Sequence, residues 1–292
     1  MVVSDKAKEE LIDVNGLSIN VRSWGNRKSK SAIIMLHGYA ETSRIWDDSA
    51  QDLSRDYHVI AIDQRGYGGS GYSKDLEYGR TIQVEDLRKI IEEKKLTSIS
   101  MIGHDMGAAN GIAYTAENPE IVTAMVIIES SPDVLRNGIE NIRKLVAIGN
   151  KFASIESAMA LFKEYFPYAN NDQLRRRVQS ILKVGVKDQF FYWDFDPMFK
   201  DPTARPANNN TSQKRIPDLW ELIDRIQCPT MIVRGTHSDL VTPEAMERMH
   251  RRIPGSRISL IEEAGHAVPT DQPGQLALNI REFLQNLSNN VF

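Results

Sequence analysis

The chain has a single cysteine, Cys228, in 292 residues, so no disulfide can form within it. That residue precedes Pro229 and the apolar run at 230–233, and it reads as a small buried hydrophobe rather than a reactive thiol. No apolar run approaches the ~20 residues that a membrane helix needs. The first ten residues mix charges with two valines, unlike a secretion signal. No membrane partner is expected, the expected compartment is cytoplasmic, and the Asn209 and Asn210 sequons carry no weight. Charge of one sign is scarce as well. Lys and Arg total 36 against 39 Asp and Glu, and the net charge of -3 gives nucleic acid no electrostatic footing. No spacing of His, Cys or carboxylates suits a metal centre. Gly66, Gly68 and Gly71 meet a G-x-G-x-x-G count, but no helix opens directly after them, so neither a dinucleotide site nor any other cofactor is expected.

What is present is an ordinary globular composition, 41% hydrophobic and 26% charged, at a length that suits one core with an insertion, as a monomer or homodimer. Short apolar runs recur at 32–36, 59–62, 99–102, 122–128, 230–233 and 258–261. They are continuous rather than alternating, as buried parallel strands are. Helical spacing fills 81–95, 108–116, 243–253 and 273–287. The alternation predicts an α/β fold with a mostly parallel, doubly wound sheet. From about residue 131 to 215 the rhythm gives way to aromatic-rich helical segments. A helical cap over 131–215, inserted between core segments 1–130 and 216–292, is therefore expected, with a loop over 201–214 returning the chain to the core.

The segment Gly103-His104-Asp105-Met106-Gly107 follows the run at 99–102 and has the form of a nucleophile elbow with a carboxylate in place of serine. An aspartate can also cap the next helix, but the flanking glycines favour the nucleophile. His37-Gly38 follows the first buried run, where the backbone N–H of Tyr39 can aim at the same point as that of Met106 and form an oxyanion hole. Asp239 lies beyond the 230–233 run and His266 beyond the last one. Nucleophile, acid and histidine thus occur in the chain order of a hydrolytic triad. Glu129, at the end of the 122–128 run, is the alternative acid. His37, His104, His58 and His250 are assigned structural roles, and the 63–66 segment is read as a packing and turn element beneath the site.

These motifs together resemble the α/β-hydrolase superfamily over nearly the whole chain. The elbow aspartate resembles its aspartate-nucleophile branch, the epoxide hydrolases and the haloalkane or haloacid dehalogenases. The resemblance implies an α/β-hydrolase fold and catalysis by Asp105, Asp239 and His266. A serine opening an epoxide would be left as an ether with no carbonyl for water to attack. An aspartate forms an ester that water activated by His266 can hydrolyse. Halide-binding relatives carry tryptophan and asparagine where this chain has Met106 and Tyr39, and haloacid-type relatives carry arginines at Met106 and Ala109. The expectation is therefore an epoxide hydrolase for small apolar epoxides in a dry pocket. The alternatives are a dehalogenase, an esterase- or lactonase-like hydrolase, or a non-catalytic ligand-binding relative.

Epoxide opening also needs a proton donor. Tyr165 and Tyr192 are the cap candidates, with Phe162 and Trp193 as candidate substrate contacts. The usual donor position aligns with Phe162, and Ala40 stands where epoxide hydrolases have proline. The segment at 192–197 looks closer to serine esterase-like relatives.

Overall fold

The computed structural model describes residues 7–200 and 217–289. It opens with an antiparallel pair, β1 (Lys8–Val14) and β2 (Leu17–Trp24), joined through Asn15 and Gly16. Both turn residues have positive φ, 50° and 74°, as the tight hairpin turn that matches strand twist requires. The remaining elements alternate: β3 (Ser31–Leu36), α1 (Asp47–Leu53), β4 (Val59–Ile62), α2 (Arg80–Glu93), β5 (Ser98–His104), α3 (Met106–Glu117) and β6 (Val122–Ile128). An insertion follows, with α4 (Arg136–Ala147), α5 (Ile155–Phe162), α6 (Asn171–Ile181) and the short hairpin β7 (Leu182–Val184) and β8 (Phe191–Trp193). The chain then completes the sheet through α7 (Leu219–Ile223), β9 (Thr230–Gly235), α8 (Pro243–Arg252), β10 (Arg257–Ile261), α9 (Val268–Asp271) and α10 (Pro273–Asn289).

Eight strands form one sheet in the order β1-β2-β4-β3-β5-β6-β9-β10. The contacts from β4 through β10 are parallel, and β2 joins β4 antiparallel. The expected α/β class is borne out. The leading antiparallel pair falls outside the runs expected from sequence, because β1 and β2 interleave apolar with polar residues rather than forming continuous apolar runs. The loop expected over 201–214 lies outside the described residues.

The apolar runs are continuous because both faces of the sheet are covered. Successive residues point to opposite faces, so Ile34, Leu36, Ile60 and Ile62 join one buried cluster while Ile33, Met35, Val59 and Ala61 join another. Cys228 packs in the first cluster, and burial pushes its thiol up to about 11, consistent with the inert reading. A third cluster belongs to the insertion, where Phe152, Phe162, Phe166, Trp193 and Phe195 pack together over Ala40 and Tyr67. Serine and asparagine capping boxes at Ser154 and Asn170 start α5 and α6.

Parallel strands place their C-terminal ends on one edge, so the loops after β3, β5, β6, β9 and β10 converge there. The loop after β4 braces them. Asp63 accepts from the N–H groups of Ser43 (2.6 Å) and Gly69 (2.9 Å), and Gln64 N–H donates to His37 Nε2 at 3.0 Å. Arg65 makes a paired contact with Asp86 at 2.5 and 2.7 Å, both side chains buried. This two-point geometry offsets the cost of burying the charges.

Candidate active site

Asp105 occupies the turn between β5 and α3 with φ 48° and ψ −116°, a backbone state that L-residues rarely adopt. Such strain costs roughly 1–3 kcal/mol and persists only where the surroundings enforce it. Here they do. A Cβ at Gly107 would collide with the carbonyl oxygens of Leu36 and His37, and one at Gly103 would collide with the backbone of Ala108. The two glycines let α3 fold back against β3 and β5, which lifts the Asp105 carboxyl clear of the sheet. The Tyr39 backbone N–H donates to Asp105 Oδ2 at 3.0 Å. Met106 opens α3, where helix geometry leaves its N–H without an intrahelical acceptor.

His266 follows β10, its side chain 18% exposed, with Nδ1 3.4 Å from Oε2 of the fully buried Glu129. Glu129 directly follows β6 at φ 51° and is otherwise held by the Gly235 N–H (2.8 Å) and the Ser238 hydroxyl (2.6 Å), both donating to its carboxylate. Asp239, the acid expected from chain order, does not reach the histidine. Its Oδ2 accepts from Asn141 Nδ2 on α4 at 2.6 Å. The reason is local: Arg234 donates to the carbonyl oxygens of Val241 (2.7 Å), Thr236 (3.3 Å) and Ser238 (3.2 Å). That clamp folds the loop so that Ser238, not Asp239, faces inward. The alternative acid is thus the one that the fold brings to His266.

A further layer stands behind the imidazole. His104, read from sequence as structural, contacts Glu41 Oε2 through Nδ1 (2.8 Å) and the His266 carbonyl oxygen through Nε2 (2.9 Å). Glu41 also accepts from the Gly38 N–H at 2.7 Å and pairs with the buried Arg177 of α6 at 2.8 Å. Burial opposes the charge of Glu41, yet His104 and Arg177 hold its carboxyl well below the usual range. No local motif signals this ladder, since its members come from four separate stretches.

Burial works against a charged His266, but the Glu129 hydrogen bond and the charges of Asp105, Glu129 and Glu41 outweigh it and raise the imidazole to about 9. The folded protein therefore holds a proton that the unfolded chain releases near 6.5. That contribution, up to about 3 kcal/mol, is complete below pH 6.5 and is lost as pH rises through about 9. Thermal unfolding followed from pH 6 to 10 is expected to show a steeper loss of stability in wild type than in His266→Gln. Parallel profiles would show that the histidine is not charged in the folded state.

Two cavities flank the elbow. His266 opens on one of about 440 Å³ whose wall includes Tyr39, Lys144, Tyr165, Arg177, His237 and Asp239. Asp105 opens on another of about 340 Å³ with Met106, Arg80, Ser130 and Ser131. The expected dry apolar pocket is not what these walls form, because charged residues from α2, α4 and α6 project into them. Of the candidate proton donors, Tyr165 lines the His266 cavity. Tyr192, on β8, instead donates to Asp188 Oδ2 at 2.5 Å in the β7–β8 hairpin and lines neither cavity. Phe162 and Trp193 are buried in the aromatic cluster, rings 5.2 Å apart, and belong to neither wall because the insertion uses them as its own core. Among the described residues, no cluster of His, Cys, Asp or Glu fits a metal ion, and no helix is long and apolar enough to cross a membrane.

The model of the alpha/beta hydrolase fold family matches residues 31–273. The chain is 25% identical over 284 residues to the esterase Rv0045c of Mycobacterium tuberculosis, covering 94% of this chain and 89% of that protein. It is 24% identical over 273 residues to the 2-(acetamidomethylene)succinate hydrolase of Mesorhizobium japonicum, covering 93% of each. The crystal structure of an alpha/beta hydrolase from Novosphingobium aromaticivorans superposes with a TM-score of 0.85 at 24% identity, over 96% of this chain and 99% of that one.

Proposed function

This chain belongs to the alpha/beta hydrolase fold family, and within it we propose an epoxide hydrolase that works through a covalent ester on Asp105. The observation that carries the reading is the Tyr39 N–H bond to Asp105 Oδ2. In this reading the oxygen that accepts from Tyr39 becomes the ester carbonyl and the other one attacks. Attack on an epoxide carbon breaks the ring C–O bond and forms an alkyl ester whose carbonyl oxygen already lies against its donor. The ring oxygen leaves as an alkoxide and takes a proton from water in the cavity, since Tyr165, the cap donor expected from sequence, lines the neighbouring cavity on the His266 side.

Water then loses a proton to His266 and adds to the ester carbonyl. The Tyr39 N–H stabilises the resulting oxyanion, and its collapse releases a diol and restores Asp105. Glu129 orients the imidazole and stabilises its protonated form. The insertion, lying over Ala40 and Tyr67, serves as the cap.

A second reading, hydrolysis of an ester or lactone, is favoured by the names of the relatives, an esterase among them. Product analysis separates the two. Incubation with styrene oxide and 1,2-epoxyhexane is expected to give the diols. No diol from either, together with turnover of a nitrophenyl ester that is lost in Asp105→Ala, would transfer the assignment to esters.

A further inference from the structure

We propose that Arg80 recognises a carboxylate on the substrate, so that the molecule whose reacting carbon meets Asp105 is an anion. The inference rests on reading Asp105 as the nucleophile and names the substrate class of that same site.

Arg80 is the first residue of α2 and shares the wall of the 340 Å³ cavity with Asp105. It is half-buried, and burial works against its charge. Among the described residues it has no hydrogen-bond acceptor and no carboxylate within ion-pair distance. The acidic group whose charge it feels is Asp218, in the same wall, and the Asp218 side chain already accepts from the Trp220 N–H at 3.4 Å as the cap of α7. The buried arginines among the described residues have such partners: Arg22 pairs with Glu9 and Asp47, Arg65 with Asp86 and Arg177 with Glu41, while Arg234 donates to backbone carbonyl oxygens. Arg80 keeps its donors for something the cavity receives.

The chemistry of the cavity calls for a cation. Asp105 brings a negative charge to the point of attack, which repels an anionic substrate. A guanidinium in the same chamber offsets that repulsion and holds a carboxylate through two parallel hydrogen bonds. Ser130 and Ser131, buried just past β6, line the same chamber. A neutral, purely apolar substrate would leave the guanidinium half-desolvated with nothing to bind.

The test compares 3-phenylglycidate with 3-phenylglycidamide, which share a skeleton and differ in charge. Wild type is expected to favour the carboxylate by roughly 10- to 100-fold in kcat/KM, the worth of one charge-assisted pair. Arg80→Met is expected to erase that ratio and Arg80→Lys to keep part of it. A second readout does not depend on turnover. 3-Phenylpropanoate should raise the unfolding midpoint of wild type while 3-phenylpropanamide does not, and Arg80→Met should abolish the difference. The proposal is overturned if the kcat/KM ratio survives in Arg80→Met, or if the midpoint shift survives there and disappears in Lys144→Met. Selective carboxylate binding that needs Arg80, without turnover of either epoxide, would leave the proposal standing and refute the nucleophile reading instead.

Discussion

A His266→Ala variant exposed to styrene oxide is expected to gain the full mass of one epoxide and then stop. Opening the ring on Asp105 adds every atom of the epoxide. Only the second half of the cycle needs a base at His266, so its removal strands the ester. Turnover should fall by at least about 10³-fold, within the usual range for loss of a general base, while one equivalent of adduct accumulates. The adduct should be absent in the doubly substituted Asp105→Ala, His266→Ala protein. A haloalkane that left an adduct lacking its halogen would assign dehalogenation. No adduct from either compound would remove Asp105 as a nucleophile toward alkyl carbon.

The electrostatics of the pair sharpen this expectation. The charge of Asp105 is one of the contributions that hold the His266 imidazole at about 9. Forming the ester neutralises that charge and so loosens the proton on His266. The base thus becomes available at the stage when water must be activated, with Asp105 itself as the switch.

Glu129→Gln should be the most damaging conservative substitution in the site, lowering kcat by roughly 10²- to 10⁴-fold. The glutamine still accepts from the Gly235 N–H, but its amide turns a donor toward either Ser238 or His266 Nδ1, which sets the wrong imidazole tautomer. It also removes one of the charges that hold the imidazole up, so His266 should titrate at lower pH by NMR. Asp239→Asn, by contrast, removes a half-exposed contact with Asn141 and should change kcat within roughly twofold. The reverse ranking, with Asp239→Asn the more damaging, would return the acid's role to the loop after β9.

Much of the candidate site could be read before any geometry. The elbow at 103–107 is local: two glycines and a polar residue after a buried strand can be read from the chain because the crowding they relieve is between neighbours. The same holds for the strand runs, whose continuous hydrophobicity follows from burial on both faces. The β1–β2 pair was less legible, because its strands interleave apolar with polar residues and lack the continuous runs of the parallel strands.

What the chain determined by itself was the fold class and a short list of groups at strand ends. The tertiary structure decided which of them meet. Glu129 faces His266 because the chain turns through positive φ directly after β6 and Arg234 clamps the loop after β9 with Ser238 inward, a matter of backbone path that residue types do not encode locally. Phe162, Trp193 and Tyr192 had the right chemistry but pack away from the cavities, since the insertion spends two of them on its own core and turns the third outward. Arg80, Glu41, His104 and Arg177 reach the site from separate stretches of the chain. Contacts between residues far apart in sequence are fixed by how layers pack on the sheet, and their electrostatics follow from that packing alone.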